Sequence, residues 1–458
     1  MIDNSQKFLE LREKYKTFIY DKYEIEDHED CIKITYYFEI EDLQKFNPTI
    51  RLSKKQLIEK NFKSNLMKKI VFNIGLVELI SYWKCTCSPN VIVKCGYIDE
   101  EQINWFKKLY FYGLGELFFT NNIKTNINDF MNIKCLAQPE KENNTEKFEF
   151  DGYIIPVGGG KDSVVTLETL KNKENKSCLI INPKPVTEKC AEIAGYDDKH
   201  IFNIQRTIDK RLIELNSEGY INGHTPFSAL LAFVAYLQAF ITGKKYIALS
   251  NESSANESNV RGEKVNHQYS KSIEFENDFR EYSKKYFKTD IEYFSFLRPL
   301  NELQIAMLFS KKEKYHKVFK SCNQGSKQKE WVWCCECPKC LFAYIILSPF
   351  LYKEKLVEIF GEDLYEKESL LKTFIELAGY GETKPFECVG TYEEVNFAIS
   401  KTIINLENSN KELPFLLKYY KNNYKLYNIE NNITKLYNED NNLPSELNKI
   451  LRDEIKNA

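Results

Sequence analysis

A glycine-rich loop is the segment of this sequence whose residue types best suit chemistry. It consists of Gly158, Gly159, Gly160, Lys161, Asp162 and Ser163. Glycines let backbone N–H groups approach an anion, and the dipole of a following helix adds to that attraction. Lys161 supplies a charge, Ser163 a hydroxyl, and Asp162 a carboxylate of the kind that Mg²⁺ prefers. The loop therefore predicts a site for phosphate groups and Mg²⁺.

The spacing within the loop separates it from two common nucleotide motifs. It does not fit GxxxxGK[ST], and the third glycine of a dinucleotide fingerprint would fall at a different spacing. The loop resembles the SGGxDS loop of the ATP-pyrophosphatases, with Gly158 where that family usually has serine. That resemblance implies cleavage of ATP into AMP and pyrophosphate. The alternative is a turn that serves only the passage from strand to helix.

A group of cysteines has the spacing of a metal site. Cys334, Cys337 and Cys340 are spaced C-x2-C-x2-C, and Cys322 lies twelve residues upstream of the first. Four thiolates with such spacing suit tetrahedral Zn²⁺, and a closed four-cysteine site is usually structural. Cys335 could replace Cys334 in this set. Buried thiols and an iron–sulfur cluster are the alternatives.

Further candidate side chains lie near the predicted strand ends. Asn182 and Asn251 are predicted nucleotide contacts, and Glu252 is a candidate for Mg²⁺ or substrate. His224 precedes a predicted helix and His267 lies in a polar segment, in a chain with five histidines. His267 is a potential general base. Three arginines could clamp phosphate or carboxylate: Arg206, Arg261 and Arg298.

Short apolar strands that alternate with helices from about 150 to 296 must position these groups. Strands are predicted at 150–157, 178–182, 200–204, 246–250 and 291–296. This alternation predicts an α/β fold with a doubly wound parallel sheet, in which ligands bind beyond the carboxyl ends of the strands. Thr225 is a predicted N-cap with Pro226 at the first helical position.

The remaining sequence predicts additions at both ends of this core. An N-terminal α+β region is predicted over 1–145, the core over 146–320, the cysteine segment with helices over 321–400, and a helical tail over 401–458. A strand at 31–41 and helices at 57–83 and 102–120 are predicted in the first region. A net charge of −2 gives no overall reason to bind nucleic acid, and the N-terminus lacks an apolar signal core. We therefore expect a soluble, cytoplasmic protein without a membrane partner.

Seven longer segments resemble the UDP-N-acetylmuramoyl-L-alanyl-L-glutamate epimerase family over about 150–395. They are PVGGGKDSVVTLE, GYINGHTPFSALLAF, LSNESSANE, VNHQYSKSIEFE, FSFLRPLNELQIA, CPKCLFAYIILSPFL and KPFECVGT. The resemblance implies an ATP-pyrophosphatase (PP-loop) core of the adenine nucleotide alpha hydrolase type. It also implies that ATP and Mg²⁺ are used to adenylate the terminal L-Glu carboxylate of UDP-MurNAc-L-Ala-L-Glu and to invert its α-carbon, with release of AMP and pyrophosphate. The product would enter peptidoglycan synthesis.

The resemblance does not assign the proton-transfer residue. His267 is the preferred candidate, followed by His224 and Glu252, and Lys161 is also counted among the candidate catalytic groups. Two other functions are open at this point. One is another adenylating PP-loop enzyme, such as a 7-cyano-7-deazaguanine synthase-like or tRNA-modifying enzyme. The other is a non-enzymatic zinc protein that binds nucleotide or nucleic acid. The oligomeric state is not indicated by the sequence.

Overall fold

β-branched and aromatic residues are frequent in the first strands of the chain. The computed structural model describes residues 3–139, 146–256, 268–328, 331–431 and 433–458. The strands in these residues are β1 (Thr17–Asp27), β2 (Cys31–Ile40), β3 (Gln44–Phe46), β4 (Thr49–Ser53), β5 (Asn90–Val93), β6 (Asn132–Cys135), β7 (Tyr153–Pro156), β8 (Lys176–Ile181), β9 (Ile201–Arg206), β10 (Tyr246–Leu249) and β11 (Glu292–Ser295).

Helices lie between the strands and dominate the last third of the chain. They are α1 (Ser5–Lys14), α2 (Glu59–Phe62), α3 (Asn65–Glu78), α4 (Ile80–Trp83), α5 (Glu100–Gly113), α6 (Gly115–Thr120), α7 (Lys161–Thr169), α8 (Pro185–Ile193), α9 (Lys210–Ser217), α10 (Phe227–Thr242), α11 (Ile273–Tyr286), α12 (Glu302–Ser310), α13 (Pro338–Leu347), α14 (Lys353–Phe360), α15 (Leu371–Leu377), α16 (Tyr392–Asn408), α17 (Phe415–Asn423) and α18 (Ser445–Lys456). None of the helices in the described ranges is long and apolar enough to cross a membrane.

The alternation of strands and helices predicted for the central region is confirmed, and the five strands lie within a few residues of their expected positions. The helix predicted over 57–83 is instead divided into α2, α3 and α4. α2 ends at Phe62, and Ser64 starts α3 as its N-cap, because its side chain accepts a hydrogen bond from the Met67 N–H. Pro226, not Thr225, is the N-cap of α10.

The chain forms two compact units. The first takes in the described parts of 1–154, 202–247 and 264–293. Its strand order is β9-β4-β2-β1-β5-β6, and β3 pairs with β2. β2 runs antiparallel to β1 and β4, whereas β5 runs parallel to both β1 and β6. The sheet of this unit therefore contains both parallel and antiparallel pairs, and β9, one of the five strands predicted for a parallel sheet, pairs antiparallel with β4.

The second unit takes in the described parts of 155–201, 248–263 and 294–458. β7, β10 and β11 pass from the first unit into the second, so their carboxyl ends belong to the second unit. The neighbouring strands follow the order β11-β10-β7-β8. β7 and β10 pair in parallel, and their carboxyl ends therefore lie at the same edge of the sheet. The glycine loop and the segment from Ser250 to Glu252 both begin at that edge.

Candidate functional site

The glycine loop joins the end of β7 to the start of α7. Gly160 is the N-cap of α7, and Lys161 is its first helical residue. The first N–H groups of a helix have no partner within the helix and therefore suit an anion. Gly159 has a φ of +77°, in the left-handed region that favours glycine. The loop conformation thus depends on Gly159 and directs the N-terminus of α7 toward the sheet edge.

The two neighbouring glycines predict different effects of substitution. In Gly159→Ala, the added Cβ would lie 3.1 Å from Val186 Cγ1 and 3.2 Å from Thr187 Cγ2, at a positive φ. The left-handed conformation alone costs about 1–2 kcal/mol for alanine. We therefore expect a lower melting temperature, measured by thermal unfolding. Gly158→Ala is the matched control, because a Cβ there meets no atom within 4 Å. Equal effects of the two changes would contradict this account.

Lys161 lies between two carboxylates. It forms ion pairs with Asp162, its neighbour in α7, and with Glu302, the first residue of α12. Burial lowers the pKa of the Lys161 ammonium, but the charges of Asp162 and Glu302 outweigh burial and raise its pKa overall. Lys161 is therefore a buried, permanently charged group at the first turn of α7.

Glu302 was not singled out by the sequence analysis, although it lies within the segment FSFLRPLNELQIA. Burial raises the pKa of the Glu302 carboxyl, and the charges of Asp162 and Glu252 act in the same direction, whereas the charges of Lys161 and Lys339 lower it. Asp162 and Glu302 therefore share Lys161, and Glu302 also lies within the electrostatic reach of a second lysine. The sequence around Glu302 contains one local signal, the capping pattern of Asn301 and Gln304. This pattern predicts the start of a helix but does not indicate that Glu302 pairs with Lys161.

The other predicted groups of the loop and the sheet edge have defined surroundings. Ser163 Oγ donates to the Gly160 carbonyl oxygen at 3.0 Å. Asn182 directly follows β8 with a φ of +51°, a conformation that asparagine tolerates better than most residues. Asn251 Nδ2 donates to Ser295 Oγ at 3.1 Å, so this side chain ties the end of β10 to the end of β11. The hydrogen bond of Asn251 therefore gives this residue a structural role as well as its predicted role in nucleotide binding.

Glu252 is buried in the segment that follows β10. Its backbone carbonyl accepts from Arg298 Nη1 at 2.7 Å, and its carboxylate accepts from Ser254 Oγ at 3.4 Å. Arg298 is itself fully buried and also donates to Ser295 Oγ. Arg298 therefore shapes the segment that carries Glu252. Glu252 acts electrostatically on Glu302, which brings it into the neighbourhood of the loop.

The remaining candidates lie in the first unit or outside the described residues. His224 lies in the first unit, in the segment before α10. Arg206, also in the first unit, forms a bidentate pair with Glu78 at 2.9 Å for each contact, which gives it a structural partner. His267 and Arg261 lie outside the described residues.

The four predicted metal ligands converge in the second unit. The Sγ atoms of Cys322, Cys334, Cys337 and Cys340 all lie within 4.8 Å of one another. The contacting pairs are 3.8 Å (Cys322 and Cys337), 3.7 Å (Cys334 and Cys340) and 3.5 Å (Cys337 and Cys340) apart. Tetrahedral Zn²⁺ with Zn–S bonds of about 2.3 Å requires sulfur atoms about 3.8 Å apart. The cluster therefore has the size and donor set of a zinc site.

The backbone around the cluster shows which of Cys334 and Cys335 is the fourth candidate metal ligand. Cys335 has a φ of +58°, and its Sγ donates to the Phe360 carbonyl at 3.2 Å, away from the four-sulfur group. Burial raises the pKa of the Cys335 thiol to about 12, which keeps it protonated at neutral pH. Cys334 thus belongs to the cluster and Cys335 does not.

The segment around Cys322 contacts the glycine loop. After Cys322, the Gly325 N–H donates to Cys322 Sγ at 3.0 Å, and a Cβ at Gly325 would collide with the Val332 carbonyl oxygen. Two residues before Cys322, the Lys320 N–H donates to the Gly159 carbonyl at 2.9 Å. The cysteine cluster therefore anchors the chain that supports the glycine loop.

Comparisons with known proteins match most of the chain. Residues 10–296 match the model of the MurL N-terminal domain, and residues 318–427 match that of the MurL C-terminal domain. Three relatives bear the name UDP-N-acetyl-alpha-D-muramoyl-L-alanyl-L-glutamate epimerase. The protein from Xanthomonas oryzae pv. oryzae is 32% identical over 71% of this chain and 73% of its own length. The Micromonospora protein is 33% identical over 71% and 73%, and the Salinispora tropica protein 31% identical over 71% and 71%.

Proposed function

The chain belongs to the MurL family, and we propose that it is an epimerase that converts UDP-MurNAc-L-Ala-L-Glu into UDP-MurNAc-L-Ala-D-Glu for peptidoglycan synthesis. The names of the three relatives support this substrate and reaction, and they favour neither of the alternatives considered from the sequence. We further propose that ATP and Mg²⁺ take part and that the glycine loop binds them. The single observation that carries this part is the left-handed turn at Gly159, which leads directly into the N-terminus of α7 beside a buried lysine.

The parts of the second unit have separate roles in this proposal. The N–H groups at the start of α7 and the ammonium of Lys161 bind phosphate oxygens, and Asp162 contributes a carboxylate to Mg²⁺. The pairing of Lys161 with two carboxylates, one of them partly exposed, supports a cation at this place. Asn182, at the end of the neighbouring strand, contacts the nucleotide. The core is accordingly of the ATP-pyrophosphatase (PP-loop) type, and the cysteine cluster holds a structural Zn²⁺ that supports the loop through Lys320.

The need for ATP follows from the charge of the substrate. A free carboxylate opposes removal of the neighbouring α-proton, because a second negative charge develops beside the first. Adenylation of the terminal carboxylate removes that charge and makes the carbonyl a better acceptor of electrons. A base then removes the α-proton and the carbon is reprotonated on its opposite face. Pyrophosphate leaves when the adenylate forms, and water finally hydrolyses the adenylate to give AMP and the free carboxylate of UDP-MurNAc-L-Ala-D-Glu.

One incubation tests the reaction and the role of ATP together. The protein is mixed with ATP, Mg²⁺ and UDP-MurNAc-L-Ala-L-Glu in deuterium oxide. We expect AMP and pyrophosphate in equal amounts, and a D-Glu product that carries one deuterium at its α-carbon. Parallel incubations without ATP or without Mg²⁺ are the controls. Epimerisation at full rate without ATP would exclude the adenylation step but not the epimerase function.

A substitution of His267 separates proton transfer from ATP cleavage. We propose His267 as the base, with His224 and Glu252 as the next candidates. His267→Ala is expected to lower α-deuterium incorporation by roughly 10²–10⁴-fold, while pyrophosphate release persists. Mass spectrometry of the recovered dipeptide measures the first quantity, and a coupled phosphate assay measures the second. His28→Ala, at an exposed histidine paired with Glu26, is the control. Normal exchange in His267→Ala would transfer the assignment to His224 or Glu252.

A further inference from the structure

The two carboxylates that flank Lys161 differ in their freedom to move. The Asp162 side chain retains 27% of its exposed surface, whereas the Glu302 side chain retains 2%. Asp162 can therefore turn toward a ligand outside the protein, and Glu302 cannot. Resting on the proposed function, we propose that Glu302 is a positioning residue that holds Lys161 at the start of α7 and so leaves Asp162 available to Mg²⁺.

The backbone of Glu302 is fixed by contacts at the start of α12. It is the first residue of α12, whose N-cap Asn301 forms a capping box with Gln304. The Glu302 N–H donates to Glu394 Oε1 at 2.8 Å. Glu394 is buried and accepts hydrogen bonds from both the N–H and the hydroxyl of Thr391. The hydrogen bonds at the starts of α12 and α16 thus fix the backbone of Glu302, and this backbone holds its carboxylate beside Lys161.

Because Glu302 is fixed, Lys161 keeps a counter-ion when Asp162 turns away from it. A buried ammonium without a counter-ion is strongly unfavourable. With Glu302 in place, Lys161 keeps one carboxylate while Asp162 coordinates a cation. Without the Glu302 charge, Asp162 becomes the remaining partner of the two, and a cation must compete with Lys161 for it. Loss of Glu302 should therefore appear as a higher requirement for Mg²⁺.

A purely structural ion pair on the same helix provides the matched control. Glu168 lies at the other end of α7, is buried, and accepts from Lys314 Nζ at 2.8 Å and from Tyr315 Oη at 2.6 Å. Glu168→Gln thus removes a buried charge from α7 that has no contact with the glycine loop. A general loosening of α7 affects both variants, whereas a change in Mg²⁺ affinity affects Glu302→Gln alone.

The experiment measures binding and turnover over a range of Mg²⁺ concentrations. Calorimetry follows the binding of α,β-methylene-ATP, which resists cleavage at the α–β bond, and pyrophosphate release follows turnover. In Glu302→Gln, the Mg²⁺ concentration for half-maximal binding is expected to rise roughly tenfold or more. In Glu302→Asp, which keeps the charge, the increase should be smaller. In Glu168→Gln, the midpoint should equal that of the unchanged protein.

Each outcome supports or overturns the inference. Equal Mg²⁺ midpoints in Glu302→Gln and Glu168→Gln would overturn it while leaving the proposed function intact. Failure of the unchanged protein to bind the analogue or to require ATP would instead overturn the proposed use of the nucleotide, and the inference with it. If Glu302→Gln does not fold, Glu302→Asp decides the matter, because its shorter side chain must still raise the midpoint above that of Glu168→Gln.

Discussion

Asp162→Ala should abolish most pyrophosphate release, with a loss of roughly 10²–10³-fold in turnover. Asp162 is the more exposed of the two carboxylates that contact Lys161, and it lies in the first turn of α7 beside the proposed phosphate site. In the proposed function Asp162 is a ligand of Mg²⁺, and the substitution removes that ligand. Release of pyrophosphate from ATP in the presence of the UDP-MurNAc dipeptide measures the effect directly.

The fold should survive this change. Lys161 remains paired with Glu302, so the buried ammonium keeps a counter-ion. Thermal unfolding of Asp162→Ala is therefore expected close to that of the unchanged protein. Asp162→Asn keeps the shape of the side chain without its charge and should lose nearly as much turnover. Near-normal pyrophosphate release in either variant would remove Asp162 from the metal site.

The local patterns of the loop and of the cysteine cluster could be predicted from the sequence because short spacings determine them. The strand, the glycines and the following helix are consecutive, so the turn that leads from the strand into the helix N-terminus is a local property. The cysteines Cys334, Cys337 and Cys340 share one short segment, and their convergence with Cys322 is confirmed. The choice of Cys334 over Cys335 needed the structure, because the positive φ of Cys335 directs its side chain to Phe360.

Contacts between residues far apart in the chain could not be predicted from local sequence patterns. Glu302 lies 141 residues after Lys161, and nothing in its own segment indicates which charge it meets. The mixed sheet has the same cause, since β4 pairs with β9 across a long separation in the chain. The break in the helix predicted over 57–83 is different. Ser64 is a local signal, but the apolar spacing on either side of it continues and favours a single helix.

Loss of the proposed zinc ion should destabilise the second unit more than any single change at the glycine loop. We expect one Zn²⁺ per chain, held by Cys322, Cys334, Cys337 and Cys340. A structural zinc site contributes much of its binding free energy to folding, so Cys340→Ala should lower the melting temperature by about 10 °C or more. Atomic absorption should show zinc falling to a small fraction of its initial value in the same variant.

The adjacent Cys335 makes this prediction specific. Cys335→Ser removes a thiol five residues from Cys340, yet its Sγ contacts the Phe360 carbonyl and not the cluster, so zinc content should be unchanged. ATP binding should also weaken in Cys340→Ala. The cluster anchors the segment that contains Lys320, and the Lys320 N–H donates to the Gly159 carbonyl oxygen in the glycine loop. Loss of zinc from Cys335→Ser, with retention in Cys334→Ser, would reverse the ligand assignment. Unchanged ATP binding in a zinc-free Cys340→Ala would show instead that the glycine loop keeps its shape without support from the cysteine segment.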